Sequence, residues 1–271
     1  MNLPVIGAAL AVEELETCRS WILEKHRDLE LQNFASAEVL KGDWQPLVDE
    51  ALRLLDGYRG RLGIHGPFWG FSIASQDKDV RNIVGQRMKQ GLDVCKALAA
   101  TQMVIHSPFT TWDHHNLPGN RAGFDQIVDL THATLGVAVQ RAEDLGVVLV
   151  IENIEDIDPI HRLKLANSFN SPAVKLSIDT GHAQYAHYST GAVPVDYFVS
   201  NAGSFLHHIH LQDADGYADR HWAIGEGNIP WQAVFRAIRN LEGHPRLILE
   251  LRDKDGISAS MAYLEMLGLG Q

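Results

Sequence analysis

Short apolar runs alternate with amphipathic stretches along this chain, and that alternation limits its fold more than any other feature. We interpret the apolar runs as strands and the stretches with a 3.6-residue period as helices. The predicted strands are Val5–Leu10, Leu29–Phe34, Leu62–His65, Met103–His106, Val147–Glu152, Val174–Asp179, His207–Leu211 and Leu247–Leu251. The predicted helices are Glu13–His26, Trp44–Tyr58, Lys78–Ala99, Phe124–Leu145, Pro159–Phe169, Pro194–Ala202, Pro230–Leu241 and Ser258–Leu267. Eight strand–helix units in 271 residues fit the size of a closed (β/α)₈ TIM barrel.

The fifth predicted strand favours a parallel sheet, because Val147–Ile151 is a continuous apolar run of the kind that is buried on both faces. An open, doubly wound α/β sheet is the alternative, but no glycine-rich nucleotide loop follows the first strand. The sequence contains no linker, short repeat or low-complexity tract. We therefore expect one α/β domain, a TIM barrel, over residues 1–271.

The charge balance bears on the partners of the chain. It has 34 acidic and 23 basic residues, a formal net charge of −11, and no basic stripe, which argues against a nucleic-acid partner. The net charge does not exclude small anionic ligands, because a few local cations can bind an anion on a protein of any net charge. No apolar run approaches the roughly 18 residues of a membrane span, and the opening segment lacks a signal-peptide pattern. We expect a cytoplasmic protein with no membrane partner.

Imidazole and carboxylate side chains follow the predicted strands at the end where barrel active sites lie. Six of them end strands three to eight, and three more follow soon after the sixth and seventh strands: His65, His106, Glu152, Asp179, His210, Glu250, His182, Asp219 and His221. Crowded together without a cation, these groups would suffer desolvation and carboxylate repulsion. Zinc and manganese prefer these ligand types, so the pattern predicts a divalent metal centre.

Eight short motifs around these residues resemble one superfamily. They are Ile64-His65-Gly66-Pro67, Val104-Ile105-His106, Ile151-Glu152-Asn153, Ile178-Asp179-Thr180-Gly181-His182, Ile209-His210-Leu211, Asp219-Arg220-His221, Gly225-Glu226-Gly227 and Leu249-Glu250. Together they are similar to the xylose-isomerase-like TIM-barrel superfamily, which unites sugar-phosphate isomerases and epimerases with endonuclease IV, of AP endonuclease family 2. The resemblance extends from about residue 62 to residue 252.

The resemblance implies two metal arrangements. The isomerases and epimerases have a single-metal core, which corresponds here to Glu152, Asp179, His210 and Glu250. Endonuclease IV adds ligands that build a trinuclear zinc site, and these correspond to His65, His106, His182, Asp219 and His221. By ligand count the chain resembles the three-metal branch. The implied cofactor is zinc, up to three ions, with manganese or magnesium as alternatives.

The two branches imply different chemistry. In an isomerase or epimerase, Glu152 and Glu250 are the acid–base pair that moves a proton through a metal-bound enediolate, and His182 contacts the substrate. Arg220 is then a candidate anchor for a hydroxyl or phosphate group. In a phosphoesterase, clustered cations generate hydroxide and Glu152 faces the nucleophile.

The remaining residues favour a sugar over DNA. The segment Phe34–Glu38 lacks the arginine that endonuclease IV inserts into a duplex, whereas Phe68 and Trp69 form an aromatic loop suited to a sugar face or a base. Trp112 is a further candidate for closing over a substrate. We expect an isomerase or epimerase of a small sugar or sugar phosphate. The first alternative is a zinc phosphoesterase of the endonuclease IV type. A non-catalytic binding protein is less favoured, because both acid–base carboxylates are present. Members of the superfamily often form homo-oligomers, so we also expect a homo-oligomeric state.

Two adjacent histidines precede the predicted ligand on strand seven. Strict alternation sends His208 to the same side of the strand as His210 and sends His207 to the other side. We expect a structural role for this pair.

Overall fold

A computed structural model describes residues 3–116 and 121–271 of the chain, so that residues 1, 2 and 117–120 of the predicted domain lie outside the described residues. The strands form a closed barrel in which each pairs in parallel with the next and β8 pairs with β1. They are β1 Gly7–Leu10, β2 Leu29–Leu31, β3 Leu62–His65, β4 Gln102–His106, β5 Val148–Glu152, β6 Val174–Asp179, β7 Leu206–Leu211 and β8 Arg246–Leu249. The predicted TIM barrel is confirmed.

Helices surround the barrel in the described part of the chain. They are α1 Leu15–Glu24, α2 Ala37–Lys41, α3 Gln45–Leu54, α4 Lys78–Leu98, α5 Thr111–Asn116, α6 Arg121–Leu145, α7 Pro159–Ser168, α8 Thr180–Thr190, α9 Val195–Ala202, α10 Trp231–Arg239 and α11 Gly256–Met266. In α10 the side chains of Trp231, Val234 and Phe235 are buried, which is the spacing of one helix face. No described helix combines the length and the apolar character that crossing a membrane requires.

The second strand is shorter than predicted. It ends at Leu31, and the chain turns through a short 3₁₀ helix at Asn33–Ala35 before α2 begins. The Ser36 hydroxyl accepts a hydrogen bond from the backbone N–H of Val39 and so caps α2. Phe34 is buried, but it lies in the 3₁₀ helix and not in the strand. Its hydrophobicity therefore led to a predicted strand that is three residues too long.

The helix α8, over Thr180–Thr190, was not predicted from the sequence. Its residues include glycine, histidine, glutamine and tyrosine and show no apolar stripe, so periodicity gives no helical signal there. The start of this helix is stabilised by an N-cap, in which the carboxylate of Asp179 accepts a hydrogen bond from the backbone N–H of His182. This helix starts at a predicted metal ligand and carries a second one.

His207 corrects the expectation from strict alternation. The β6–β7 register shifts so that Leu176 pairs with Leu206 while Ser177 pairs with His208, which leaves His207 in a bulge. Its Nδ1 lies 2.8 Å from Oε1 of Gln102 on β4, three strands away. A contact between such distant strands crosses the interior, so both His207 and His208 face the inside of the barrel.

Candidate metal centre

A cavity of about 700 Å³ opens at the rim where the carboxyl ends of the parallel strands meet. Seven of the nine predicted ligands line it: His65, His106, Glu152, His182, Asp219, His221 and Glu250. The other two, Asp179 and His210, have no exposed surface and lie beneath them. The barrel therefore brings the nine residues to one site, as the strand-end pattern predicts.

Four of these residues form a buried core. Glu152, Asp179, His210 and Glu250 each offer one ligand atom within 4.8 Å of the others. Nδ1 of His210 lies 2.8 Å from Oε1 of Glu152 and 3.3 Å from Oε2 of Glu250. These are the four residues that the resemblance assigns to a single metal.

Asp179 is fixed from several directions. Its Oδ1 caps α8, and the side-chain amide of Gln212 donates to both carboxylate oxygens at 3.1 and 3.2 Å. The side chain of Asn153 holds the strand beneath, accepting from the backbone N–H of Asp179 and donating to its carbonyl. Burial, with the nearby charges of Glu152 and Glu250, raises the pKa of Asp179 to about 6.

Two further groups flank the core. Nε2 of His65 and Nε2 of His106 lie 3.8 and 3.7 Å from Oε2 of Glu152. On the other side, Asp219 lies 3.5 Å from Nε2 of His182 and 3.1 Å from Nε2 of His221. In each of the groups His65/His106/Glu152 and His182/Asp219/His221, three possible ligand atoms lie within 4.8 Å of one another.

Three of the flanking histidines share one orientation. The Nδ1 atoms of His65, His182 and His221 lie 2.9, 2.9 and 3.0 Å from the backbone carbonyls of Gly66, Asn153 and Glu250. A carbonyl accepts, so Nδ1 carries the proton and Nε2 faces the cavity. Backbone contacts of this kind fix the tautomer and the ring direction of metal-binding histidines.

Burial and neighbouring charges shift the pKa values of several residues in the site. Burial opposes the charge on Glu152, but the charge and hydrogen bond of His210 outweigh it and hold the pKa of Glu152 well below its usual range. Burial likewise opposes the charge on His221, yet the hydrogen bond to Asp219 and the charge of Glu250 raise its pKa to about 9. Burial lowers the pKa of His106 to about 3, so that this ring is neutral.

The donor set fits a divalent cation. Oε2 of Glu152 is buried and has no hydrogen-bond partner among the described residues, although His65 and His106 lie just beyond hydrogen-bond distance. An unpartnered buried carboxylate oxygen is costly in a protein interior. Three carboxylates and an imidazole within 4.8 Å are ligands that zinc and manganese accept, and such an ion would neutralise their repulsion.

Aromatic and basic groups line other parts of the cavity. Phe68 stacks on the ring of His106 with centroids 4.0 Å apart, and Trp69 is exposed beside it. Arg252 and Lys254 also line the cavity.

Two predicted substrate contacts are absent from the residues that line this cavity. Arg220 pairs with Asp215 at 2.8 Å and lies over the rings of Tyr217 and Trp222. Trp112 is exposed on α5. The predicted roles of Arg220 and Trp112 in substrate binding stay predictions.

Several polar residues of the site were missed by reading strand ends alone. Glu30 lies below the rim on β2, 3.0 Å from Nε2 of His210. Gln32 donates to Oε1 of Glu250 at 2.7 Å and accepts from Lys254 at 3.2 Å. An acid between two leucines of a buried strand, as in Leu29-Glu30-Leu31, is the sequence signal that points to the first of them.

Comparison with known proteins assigns the family. The family model described as xylose isomerase-like TIM barrel matches residues 27–267. The chain belongs to that family. Among solved structures of such barrels, a Thermus thermophilus protein soaked with ZnCl₂ is 25% identical, with 98% of this chain and 99% of that chain covered and a TM-score of 0.74.

Two curated relatives match over shorter stretches. An uncharacterized protein of Methanocaldococcus jannaschii is 26% identical over 200 residues, which are 70% of this chain and 64% of that relative. The fructoselysine 3-epimerase of Escherichia coli O157:H7 is 31% identical over 114 residues, 38% of each chain. The chain thus spans less than two thirds of the length of these two relatives.

Proposed function

We propose that this member of the xylose isomerase-like family is a metal-dependent epimerase or isomerase of a small sugar or sugar phosphate. The observation that carries the proposal is the pair of carboxylates, Glu152 and Glu250, at the base of the rim cavity on either side of one imidazole nitrogen of His210. Two carboxylates at one carbon centre can remove a proton and return one.

Glu152, Asp179, His210 and Glu250 would hold the divalent ion. When bound, such an ion polarises a carbonyl group and lowers the barrier to removing the proton on the neighbouring carbon. Manganese or magnesium suits the three carboxylates of this set, and zinc accepts its carboxylates and its imidazole.

The chain's own residues would perform the proton transfer. One carboxylate takes the proton from the carbon next to the substrate carbonyl. In an epimerase the other carboxylate returns a proton to the opposite face of the same carbon. In an isomerase a proton is returned to the former carbonyl carbon, and the hydroxyl proton of the substrate passes to the former carbonyl oxygen. Gln32 donates to Oε1 of Glu250 and so fixes the direction of that carboxylate. His182 and Phe68 lie in the same cavity, where an imidazole can bond a hydroxyl and a ring can cover the apolar face of a sugar.

The relatives support the sugar assignment, because a fructoselysine 3-epimerase is among them. The net charge of −11 is unfavourable for binding duplex DNA. A cytoplasmic location and a homo-oligomeric state stay predictions.

Solvent-deuterium exchange tests the proposal. The protein, loaded in turn with zinc, manganese and magnesium, is incubated in D₂O with a panel of ketoses and ketose phosphates, and NMR follows the carbon-bound protons next to the carbonyl. We expect exchange with at least one sugar, abolished by chelation. No exchange with any sugar under any metal would overturn the proposal.

Phosphoester hydrolysis is the second candidate function, and the two flanking ligand groups favour it. Groups of histidine and carboxylate on both sides of the core, His65/His106/Glu152 and His182/Asp219/His221, have the spacing of further ion sites. Clustered ions could activate water and bind both oxygens of a displaced phosphoester. Zinc-loaded protein that cleaves bis-p-nitrophenyl phosphate or an abasic-site duplex, but exchanges no sugar proton, would establish this function instead.

A further inference from the structure

Glu30 forms a buried cluster beneath the metal centre. Its Oε1 lies 3.0 Å from Nε2 of His210, and its Oε2 lies 3.3 Å from Nε2 of His208. On the far side, Nδ1 of His208 lies 2.8 Å from the hydroxyl of Ser177. Glu30 is 1% exposed and the other three residues are fully buried, so bulk solvent does not reach this cluster.

The barrel makes room for this carboxylate. In the sheet register, the neighbours of Glu30 are the small residues Ala9 on β1 and Gly63 on β3, and the guanidinium of Arg246 occupies the space over Gly63. Burying a carboxylate is costly without partners, and an apolar residue would fill the same space more cheaply. The buried carboxylate of Glu30 therefore depends on its two imidazole partners, His208 and His210.

His210 uses its two ring nitrogens for different contacts. Nδ1 faces Glu152 and Glu250 of the four-residue core, whereas Nε2 faces Glu30. A neutral imidazole has one N–H donor and one acceptor nitrogen, and the group bonded to one nitrogen decides which form is present. Carboxylates, which can only accept, face both nitrogens: Glu152 and Glu250 at Nδ1 and Glu30 at Nε2. A divalent ion in the core would need the lone pair of Nδ1, and the one ring proton would then lie on Nε2, where Glu30 can accept it.

We propose that Glu30 is a positioning residue that sets the tautomer and ring direction of His210, and thereby the metal affinity of the centre. This inference rests on the metal centre of the proposed function. Glu30 touches neither the rim cavity nor the other three ligands in the described contacts, so its influence passes through His210. Loss of such an outer partner typically weakens metal binding about 10–100-fold.

Zinc affinity, measured by competition with a chelator, gives the first readout. Glu30→Met keeps the size of the side chain but removes the acceptor, and we expect an about 10–100-fold weaker zinc affinity. Glu30→Gln is the matched control, because its amide oxygen can still accept from Nε2–H, and we expect a smaller loss. An unchanged affinity in a folded Glu30→Met protein would overturn the inference.

The ¹⁵N spectrum of the His210 ring in the zinc-loaded wild type gives a second readout that depends on no variant. We expect a protonated Nε2 and a metal-bound Nδ1. A metal-bound Nε2, as for an ion held among Glu30, His208 and His210, overturns the inference and leaves the proposed function standing. A wild type that binds no zinc, manganese or magnesium overturns both.

Discussion

Nδ1 of His210 lies 2.8 Å from Oε1 of Glu152, although the two residues are 58 positions apart in the chain. They lie at the carboxyl ends of strands β7 and β5, which are not neighbours, because β6 lies between them. The contact therefore crosses the inside of the barrel and depends on closure of the sheet. The same closure brings Glu30 from β2 to the other nitrogen of the ring, so the centre belongs to the whole barrel and not to one loop.

Replacing Glu152 tests the acid–base role. Glu152→Gln keeps the shape of the side chain but removes the base, and we expect solvent-deuterium exchange at the sugar to fall about 10²–10⁴-fold. NMR of the metal-loaded variant measures this rate.

A matched control for that substitution lies nearby. Glu155 lies three residues further on, in the loop that follows β5, and its carboxylate accepts from the backbone N–H of Thr111 outside the rim cavity. Glu155→Gln should exchange at the wild-type rate. Equal losses in both variants would assign the effect to the loop and not to the carboxylate at the core.

The aromatic wall gives a prediction about binding. Phe68 stacks on His106 at the cavity. A sugar that packs its apolar face on the Phe68 ring gains about 0.5–1.5 kcal/mol of binding free energy. Phe68→Leu should therefore raise KM about 2- to 12-fold with little change in kcat. Steady-state kinetics separates the two constants. The equivalent Trp112→Leu tests the predicted role of that tryptophan: a matching rise in KM supports it, and an unchanged KM contradicts it.

His207 gives a prediction about stability and pH. Burial, with the nearby charge of Arg246, lowers its pKa from the ordinary 6.5 to about 4. Between these values the unfolded chain binds a proton that the folded chain does not, so stability falls as the pH drops from 6.5 towards 4. His207→Gln should reduce this slope, and urea unfolding at several pH values measures it. An identical slope in the variant would contradict the buried placement of His207 in the bulge.

Arg162 on helix α7 bridges the neighbouring strands β5 and β6. This buried guanidinium donates to the carbonyls of Ile151 and Ser177 and lies 3.3 Å from Asp156. Arg162→Met leaves the carbonyls and the carboxylate without their cation, which should cost about 3–5 kcal/mol of unfolding free energy.

An exposed arginine provides the comparison. Arg53 pairs with Glu50 on the surface of α3, and Arg53→Met should change stability little. Urea denaturation compares the two variants. Equal losses of unfolding free energy in both variants would contradict a larger stabilising role for the buried Arg162 than for the exposed Arg53.

The barrel and the nine rim residues could be predicted from the sequence because both leave local signals. Apolar runs mark strands such as β5, and a polar residue at the end of a strand, such as Glu152, stands out against that run. The ligand roles themselves stay predictions. What was missed depends on contacts across the barrel: Glu30 lies in the middle of a strand, and its partners come from β7.

Local deviations were equally invisible in the sequence. The bulge that turns His207 inward comes from the pairing of β6 with β7, and no single-strand pattern contains that information. Helix α8 begins because Asp179 caps it, while its own residues lack an apolar stripe. Tertiary pairing and capping, which act between segments, decided both features.

The metal content of the protein tests most directly whether the site holds a single divalent ion. Elemental mass spectrometry of untagged wild-type protein, beside Asp179→Asn and His106→Ala, counts the ions per chain. The account predicts one tightly held divalent ion that Asp179→Asn loses and His106→Ala keeps. Three zinc ions, with a loss in His106→Ala, would contradict the single-metal epimerase and favour phosphoester chemistry, and a wild type without bound metal would contradict the centre altogether.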